Sequence, residues 1–268
     1  MAIFDFLSYE FIQRAYFAGA FIAVLCAMLG LILVLRKLSL IGDGLSHVSF
    51  GAIALGLFFG IYPFYVAIPI VILASYLVLK LAEKAKIYGD AAIGIVSAVG
   101  ISGGVILASL SQGFNVDLFS YLFGNILAIS NQEVWLSVGL SLFVLATIIF
   151  LYHDLFSTTF DEEYARVSGI KTDRINLILT FLTAITVVLA IKVVGVMLVS
   201  ALLILPAVTA LQVVKGFKAA MIVAVGLSVL SVIIGISLSF FGDLPAGASI
   251  VMVNFILFIL SLVIKKIK

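Results

Sequence analysis

An all-α polytopic membrane protein of about nine transmembrane helices is the fold class this chain predicts, and three observations carry it. Of its 268 residues, 65% are hydrophobic and 10% charged, where a soluble domain carries about 25% charged residues. The mean hydropathy is +1.38. Uncharged runs of about 20 residues recur along the whole chain, the length one helix needs to cross a bilayer. No strict apolar–polar alternation marks barrel strands, and an open sheet cannot satisfy its backbone groups in lipid.

The spans follow in order from the charge-free runs. Arg14 to Arg36 brackets the first. Between Asp43 and Lys80 there is room for two helices, broken at Gly60-Ile61-Tyr62-Pro63, where glycine and proline turn the chain. Six more runs are Ala91 to Val116, Val134 to Tyr152, Ile175 to Ile191, Val193 to Val214, Ala219 to Gly242, and Leu244 to Ile264. Eight spans is the alternative count, if the Ile175–Val214 region or the first segment divides differently. No stretch is polar enough for a separate soluble domain, so residues 1–268 read as one transmembrane domain. The N-terminus lacks the pattern of a cleaved secretory signal, so the first segment is expected to remain as a span.

The basic residues orient the chain. With nine spans, Arg36, Lys37, Lys80, Lys84, Lys86, Arg166, Lys171, Arg174, Lys215, Lys218, Lys265, Lys266 and Lys268 share one side, which is then cytoplasmic. Arg14 and Lys192 fall on the other, and Lys192, near a span end, can snorkel there and needs no function. The longest polar connection, His153 to Arg174, faces the cytoplasm. Within it, residues 160–170 have an acidic start, a short amphipathic body and a closing glycine, the signals of a short capped helix. It is either a solvated surface helix or a docking helix for a soluble partner.

Several function classes are excluded. A net charge of +2 without a basic stripe argues against nucleic acid. The single cysteine, Cys26, cannot form an intrachain disulfide. There is no HExxH, no GxSxG and no P-loop. The chain reads as no enzyme, and any ATP-driven work requires a separate ATPase.

Ionisable groups inside a membrane cost about 2.5–3.5 kcal/mol at a helix centre and call for a reason. The first such place is Gly42-Asp43-Gly44-Leu45-Ser46-His47. An i, i+4 spacing puts the carboxylate of Asp43 and the imidazole of His47 on one helix face. Both are ligand types that suit zinc, and manganese less selectively. Asp43 could equally be an N-cap, and His47 a buried histidine donating to a carbonyl. Asp117 and Asp243 are further candidates, each in a short outer connection where an aspartate also serves as a cap or turn residue.

These residues fall in segments that resemble the permease subunits of bacterial zinc and manganese ABC importers. Leu35-Arg36-Lys37-Leu38-Ser39-Leu40-Ile41-Gly42-Asp43-Gly44-Leu45-Ser46-His47 is similar to that family's R-R-x-S-x-x-G-D-x-L-S/A-H segment. Tyr121-Leu122-Phe123-Gly124, the run from Val194 to Ala207, and Asp243-Leu244-Pro245-Ala246-Gly247-Ala248 continue the likeness in order. One departure is Gly44, where the family usually carries threonine or alanine.

The resemblance implies a homodimeric permease in the bacterial cytoplasmic membrane, a cytoplasmic ABC ATPase and an extracytoplasmic metal-binding protein. It implies no permanently bound cofactor, with Zn2+ or Mn2+ as the transported substrate. It places Asp43 and His47 on the metal pathway. Glu163, Tyr164, Ala165, Arg166, Val167, Ser168 and Gly169 become the helix that couples to the ATPase. The Ser120–Gly124 and Leu45–Ser49 forms look zinc-type, with Mn2+ or Fe2+ as the alternative substrate. A secondary cation carrier independent of an ATPase is the rival reading.

Overall fold

The computed structural model describes residues 8–84, 88–111 and 116–267, with the side chains of 82–84, 116–119 and 267 outside that description. Lys86 and Lys268 therefore lie outside the described residues, and so does the side chain of Lys84.

Twelve α-helices follow one another among the described residues: α1 (Glu10–Leu35), α2 (Ile41–Phe58), α3 (Pro63–Lys84), α4 (Gly89–Leu110), α5 (Val116–Phe123), α6 (Asn131–Phe150), α7 (Tyr152–Phe160), α8 (Glu162–Val167), α9 (Thr172–Val194), α10 (Val199–Val213), α11 (Phe217–Gly242) and α12 (Ala246–Ile267). Eight of them are long and apolar enough to cross a bilayer. Of the two counts expected, about nine and eight, the structure has eight full-length spans, because the Val193–Val214 run does not form one. Helix α9 continues through Val194, glycine at 195 adopts φ +82°, and the 15-residue α10 begins only at Val199.

Helix α1 is apolar on all sides, which suits a helix surrounded by protein. From Ile22 to Leu33 most of its side chains are fully buried, and it packs on α6, α9, α10 and α11. Helices α2, α3 and α4 form a second group, joined to the first chiefly through α9. Glycine permits a close crossing of α2 and α4. A Cβ on Gly51 would lie 2.4 Å from the Gly100 carbonyl oxygen, and one on Gly100 would lie 2.6 Å from the Val48 Cα. Small residues let helices in lipid approach to backbone contact, where dispersion attraction holds them. Gly51→Val is therefore expected to lower stability by about 1–3 kcal/mol, read as earlier thermal unfolding in detergent. Gly226→Ala, with nothing within 4 Å of its new methyl, should leave the transition in place.

The basic side is built as the charges require. Arg36 reaches Glu162 and Asn176, Lys265 reaches Gln212, and Phe217 packs on Tyr152, Phe156 and Phe160. The two basic residues of the other side are both paired. Arg14 lies 3.5 Å from Glu10, and Lys192 lies 2.8 Å from Glu133. Lys192 thus does not snorkel. It is largely buried over the Tyr121 ring, with Glu133 held in turn by a capping box with Ser130. Burial, with Glu133 close by, pushes the nearby Tyr62 hydroxyl above the usual phenol range.

The stretch 195–198 is irregular backbone against the chain after α5. The Val196 N–H donates to the Tyr121 carbonyl, and Gly124, Gly195 and Gly247 bring three backbones together. Non-helical backbone is tolerated within a membrane protein when it is buried against other backbone in this way.

Candidate functional site

Helix α2 begins at Ile41, two residues before Asp43, so Asp43 is not an N-cap but the third residue of the first turn. Its carboxylate there meets the positive end of the helix. His47 follows one turn later, and its Nε2 lies 3.6 Å from Asp43 Oδ2. That is beyond hydrogen-bond range. Two ligand atoms on a tetrahedral zinc, each about 2.0–2.1 Å from the ion, stand about 3.3–3.4 Å apart. The pair is spaced as two ligands of one ion would be.

The surroundings fit the same chemistry. The Ser200 hydroxyl of α10 donates to Asp43 Oδ1 at 3.3 Å, and the Ser46 hydroxyl donates to the Asp43 carbonyl at 2.8 Å. His47 Nδ1 is buried with no hydrogen-bond partner among the described residues. The Asp43 side chain is 48% exposed and that of His47 26%, so both open onto the outside of this single chain. Among the described residues, no group of three or more His, Cys, Asp or Glu side chains is placed to hold a metal. One chain offers two ligands.

Ser200 also fixes the depth of the pair. Arg36 is tied to Asn176 in the second turn of α9, and from there α9 climbs about 27 Å to Val194. Six residues later Ser200 touches Asp43. The carboxylate therefore sits within the depth of the bundle, where α2 entering from the basic side meets α10 entering from the other. Gly44 belongs to this arrangement. A Cβ there would lie 2.4 Å from Ile93 Cγ2 of α4, so the glycine lets α2 lie close to α4 at the level of the pair.

Of the other candidate aspartates, Asp243 lies apart from it. Asp117 falls in α5, with its side chain outside the described residues. Asp243 is the exposed C-cap of α11 in left-handed conformation, at the outer end of that helix. Its neighbour Leu244 closes the turn back to Ser239.

The polar connection holds two helices where one was expected, α7 continuing almost directly from α6, and then α8. The helix within 160–170 is the six residues Glu162–Val167. Asp161 caps it by accepting from the Tyr164 N–H at 2.8 Å. Gly169 at φ +90° ends it, with Gly169 N–H bonded to the Arg166 carbonyl and Ile170 N–H to the Ala165 carbonyl, a Schellman closure. Ala165 points inward and is fully buried, while Tyr164 and Val167 are 68% and 89% exposed. Glu163, Ser168 and Gly169 are exposed too. Arg166 is held by Glu162, Thr172 and Asp173.

Sequence reasoning passed over what ties α8 to α2. Arg36 Nη2 donates to Asn176 Oδ1 at 2.7 Å and to Glu162 Oε2 at 3.3 Å, and Asn176 Nδ2 donates to Glu162 Oε1 at 3.0 Å. The three side chains close a triangle between the turn before α2, the start of α8 and the second turn of α9. Burial pulls the Arg36 guanidinium below its ordinary value, and Glu162 opposes that shift. The only trace in the sequence is an asparagine one residue into an otherwise apolar run.

The ABC 3 transport family matches residues 8–265 of the chain. The high-affinity zinc uptake system membrane protein ZnuB of Haemophilus influenzae is 34% identical over 95% of this chain and 97% of its own. The manganese transport system membrane protein MntC of Halalkalibacterium halodurans is 33% identical over 95% of this chain and 87% of its own. In structure, PsaBC from Streptococcus pneumoniae, solved in complex with Fab, superposes with a TM-score of 0.86 at 29% identity, over 95% of this chain and 92% of that one. With a match over nearly its whole length and relatives above 30% identity, this multi-pass bacterial membrane protein belongs to the ABC 3 transport family.

Proposed function

We propose that the chain is the permease subunit of an ATP-driven divalent metal importer and that Zn2+ is its substrate, passing Asp43 and His47. The observation that carries this reading is the intramembrane carboxylate–imidazole pair, spaced for a shared ion and open to the outside of the chain. Two protomers related by a two-fold axis would bring two such pairs together, and four O/N ligands suit tetrahedral zinc. The carboxylates offset the ion's charge as it sheds water. Opening and closing are driven by a separate cytoplasmic ATPase that docks on α8, where Tyr164 and Val167 offer apolar side chains on a charged surface. An extracytoplasmic binding protein delivers the metal. The relatives named for zinc and for manganese support a metal cargo and divide over which one. Asp and His ligands accept both metals, so Mn2+ is the second reading.

The test is uptake into vesicles holding this chain with its ATPase, the binding protein being loaded with zinc or manganese in parallel. Zinc uptake that needs ATP and exceeds manganese uptake is the expected result. Preference for manganese would overturn the choice of metal. Uptake by the purified chain without an ATPase would overturn the ATP-driven mechanism in favour of a secondary carrier.

A further inference from the structure

A groove between α3 and α9, which shares no lining residue with the Asp43–His47 pair, has the dimensions and chemistry of a site for one lipid. Its walls are Ile72, Leu73, Tyr76 and Leu79 of α3 with Leu177 and Phe181 of α9, enclosing about 650 Å³. Besides the Tyr76 phenol, two aliphatic hydroxyls line it, and both are turned back onto their own helices. Ser75 donates to the Ile72 carbonyl at 2.8 Å and Thr180 to the Asn176 carbonyl at 2.7 Å. The surface left to an occupant is nearly all hydrocarbon. Pro69 lies at the far end, and proline inside a helix removes one backbone hydrogen bond and bends the axis. From Leu79 to Pro69 the groove runs about 15 Å, which is half of a hydrocarbon core about 30 Å thick. It is one leaflet long.

The mouth is basic. Tyr76, Leu79 and Leu177 line both the groove and a polar pocket of about 340 Å³ that Lys80, Asp173 and Arg174 complete. Lys80 Nζ stands 5.7 Å from the Tyr76 ring centre. The Asp173 carboxylate opposes an anion there, but it lies 3.5 Å from Arg166 on the side of α8. Two cations at the end of a leaflet-long apolar slot, on the basic side of the bundle, complement an amphipathic anion. Basic pockets between transmembrane helices on the cytoplasmic side recognise such headgroups.

We infer that the α3–α9 groove binds an anionic phospholipid of the inner leaflet, its acyl chain along Leu73, Tyr76 and Phe181 and its phosphate between Lys80 and Arg174. The inference stands on this groove alone and is independent of the metal reading. The experiment is native mass spectrometry of the full-length chain, purified with its partner subunits into detergent with equimolar phosphatidylglycerol and phosphatidylethanolamine. One retained phosphatidylglycerol per chain, in preference to the zwitterionic lipid, is expected. Lys80→Gln with Arg174→Gln should lower that retention on the order of 10- to 30-fold, and Leu177→Trp should lower it by filling the slot. Retention without headgroup preference, or equal in all variants, overturns the site. So does efficient disulfide formation between Leu73→Cys side chains of two copies, which would show the groove covered by protein.

Discussion

His47→Ala is expected to lower metal uptake about 100-fold or more, at unchanged protein in the membrane and unchanged assembly with the ATPase. The scale follows from coordination chemistry, since loss of a mere supporting partner of a ligand already costs about 10- to 100-fold. In the proposed homodimer each substitution would count twice. Asp43→Asn is the sharper variant. It keeps the size of the side chain and an oxygen to accept from Ser200, which now donates to Oδ1 at 3.3 Å. It removes only the charge that offsets the ion. A comparable loss for Asp43→Asn, with normal thermal stability, would assign the effect to charge at the ion rather than to packing. Both variants should also weaken zinc binding to the assembled complex without nucleotide. If His47→Ala and Asp43→Asn each transport within twofold of the unsubstituted protein, the pair is not on the pathway.

Much of this architecture is legible because lipid imposes a simple rule. A run without charge of sufficient length becomes a helix, and most of the expected segments appear within a few residues of their bounds. The failures are instructive. The Val193–Val214 run looks like a span because Val194, Val196 and Val199 are as apolar as their neighbours. What ends α9 is a backbone contact between Gly195 and Gly124, invisible to hydropathy. Lys192 reads as a snorkelling terminus because its partner Glu133 is 59 positions away in sequence and pairs only once α6 and α9 are folded together. The Asp43–His47 spacing was legible because the i, i+4 relation is local. Ser200, which sets the depth of Asp43, was not, because serine is common in membrane helices and contacts between elements leave no periodicity. The capped helix after Asp161 was legible to within three residues because caps are local chemistry.

Arg36→Gln is expected to separate ATP hydrolysis from transport. The guanidinium of Arg36 bridges Glu162 at the start of α8 and Asn176 of α9, and its side chain is 10% exposed. Seven residues on, Asp43 stands in the first turn of α2. In the proposed complex, a force applied to α8 by a moving ATPase would reach α2 most directly through this triangle, since no more than a short turn separates Arg36 from that helix. Glutamine keeps at most one of the two contacts. The remaining Glu162–Asn176 bond of 3.0 Å should hold α8 in place, so docking and hydrolysis persist. Hydrogen bonds to charged groups contribute about 1.5–3 kcal/mol each, which corresponds to about a 10- to 100-fold loss in metal moved per ATP hydrolysed. Arg36→Lys should recover little, because an ammonium lacks the planar fork that reaches two acceptors at once. A merely structural role makes a different prediction, in which ATPase activity and uptake fall in the same proportion and their ratio stays constant. The ratio is therefore the quantity to measure. A constant ratio would remove Arg36 from the coupling path while leaving the metal pair untouched.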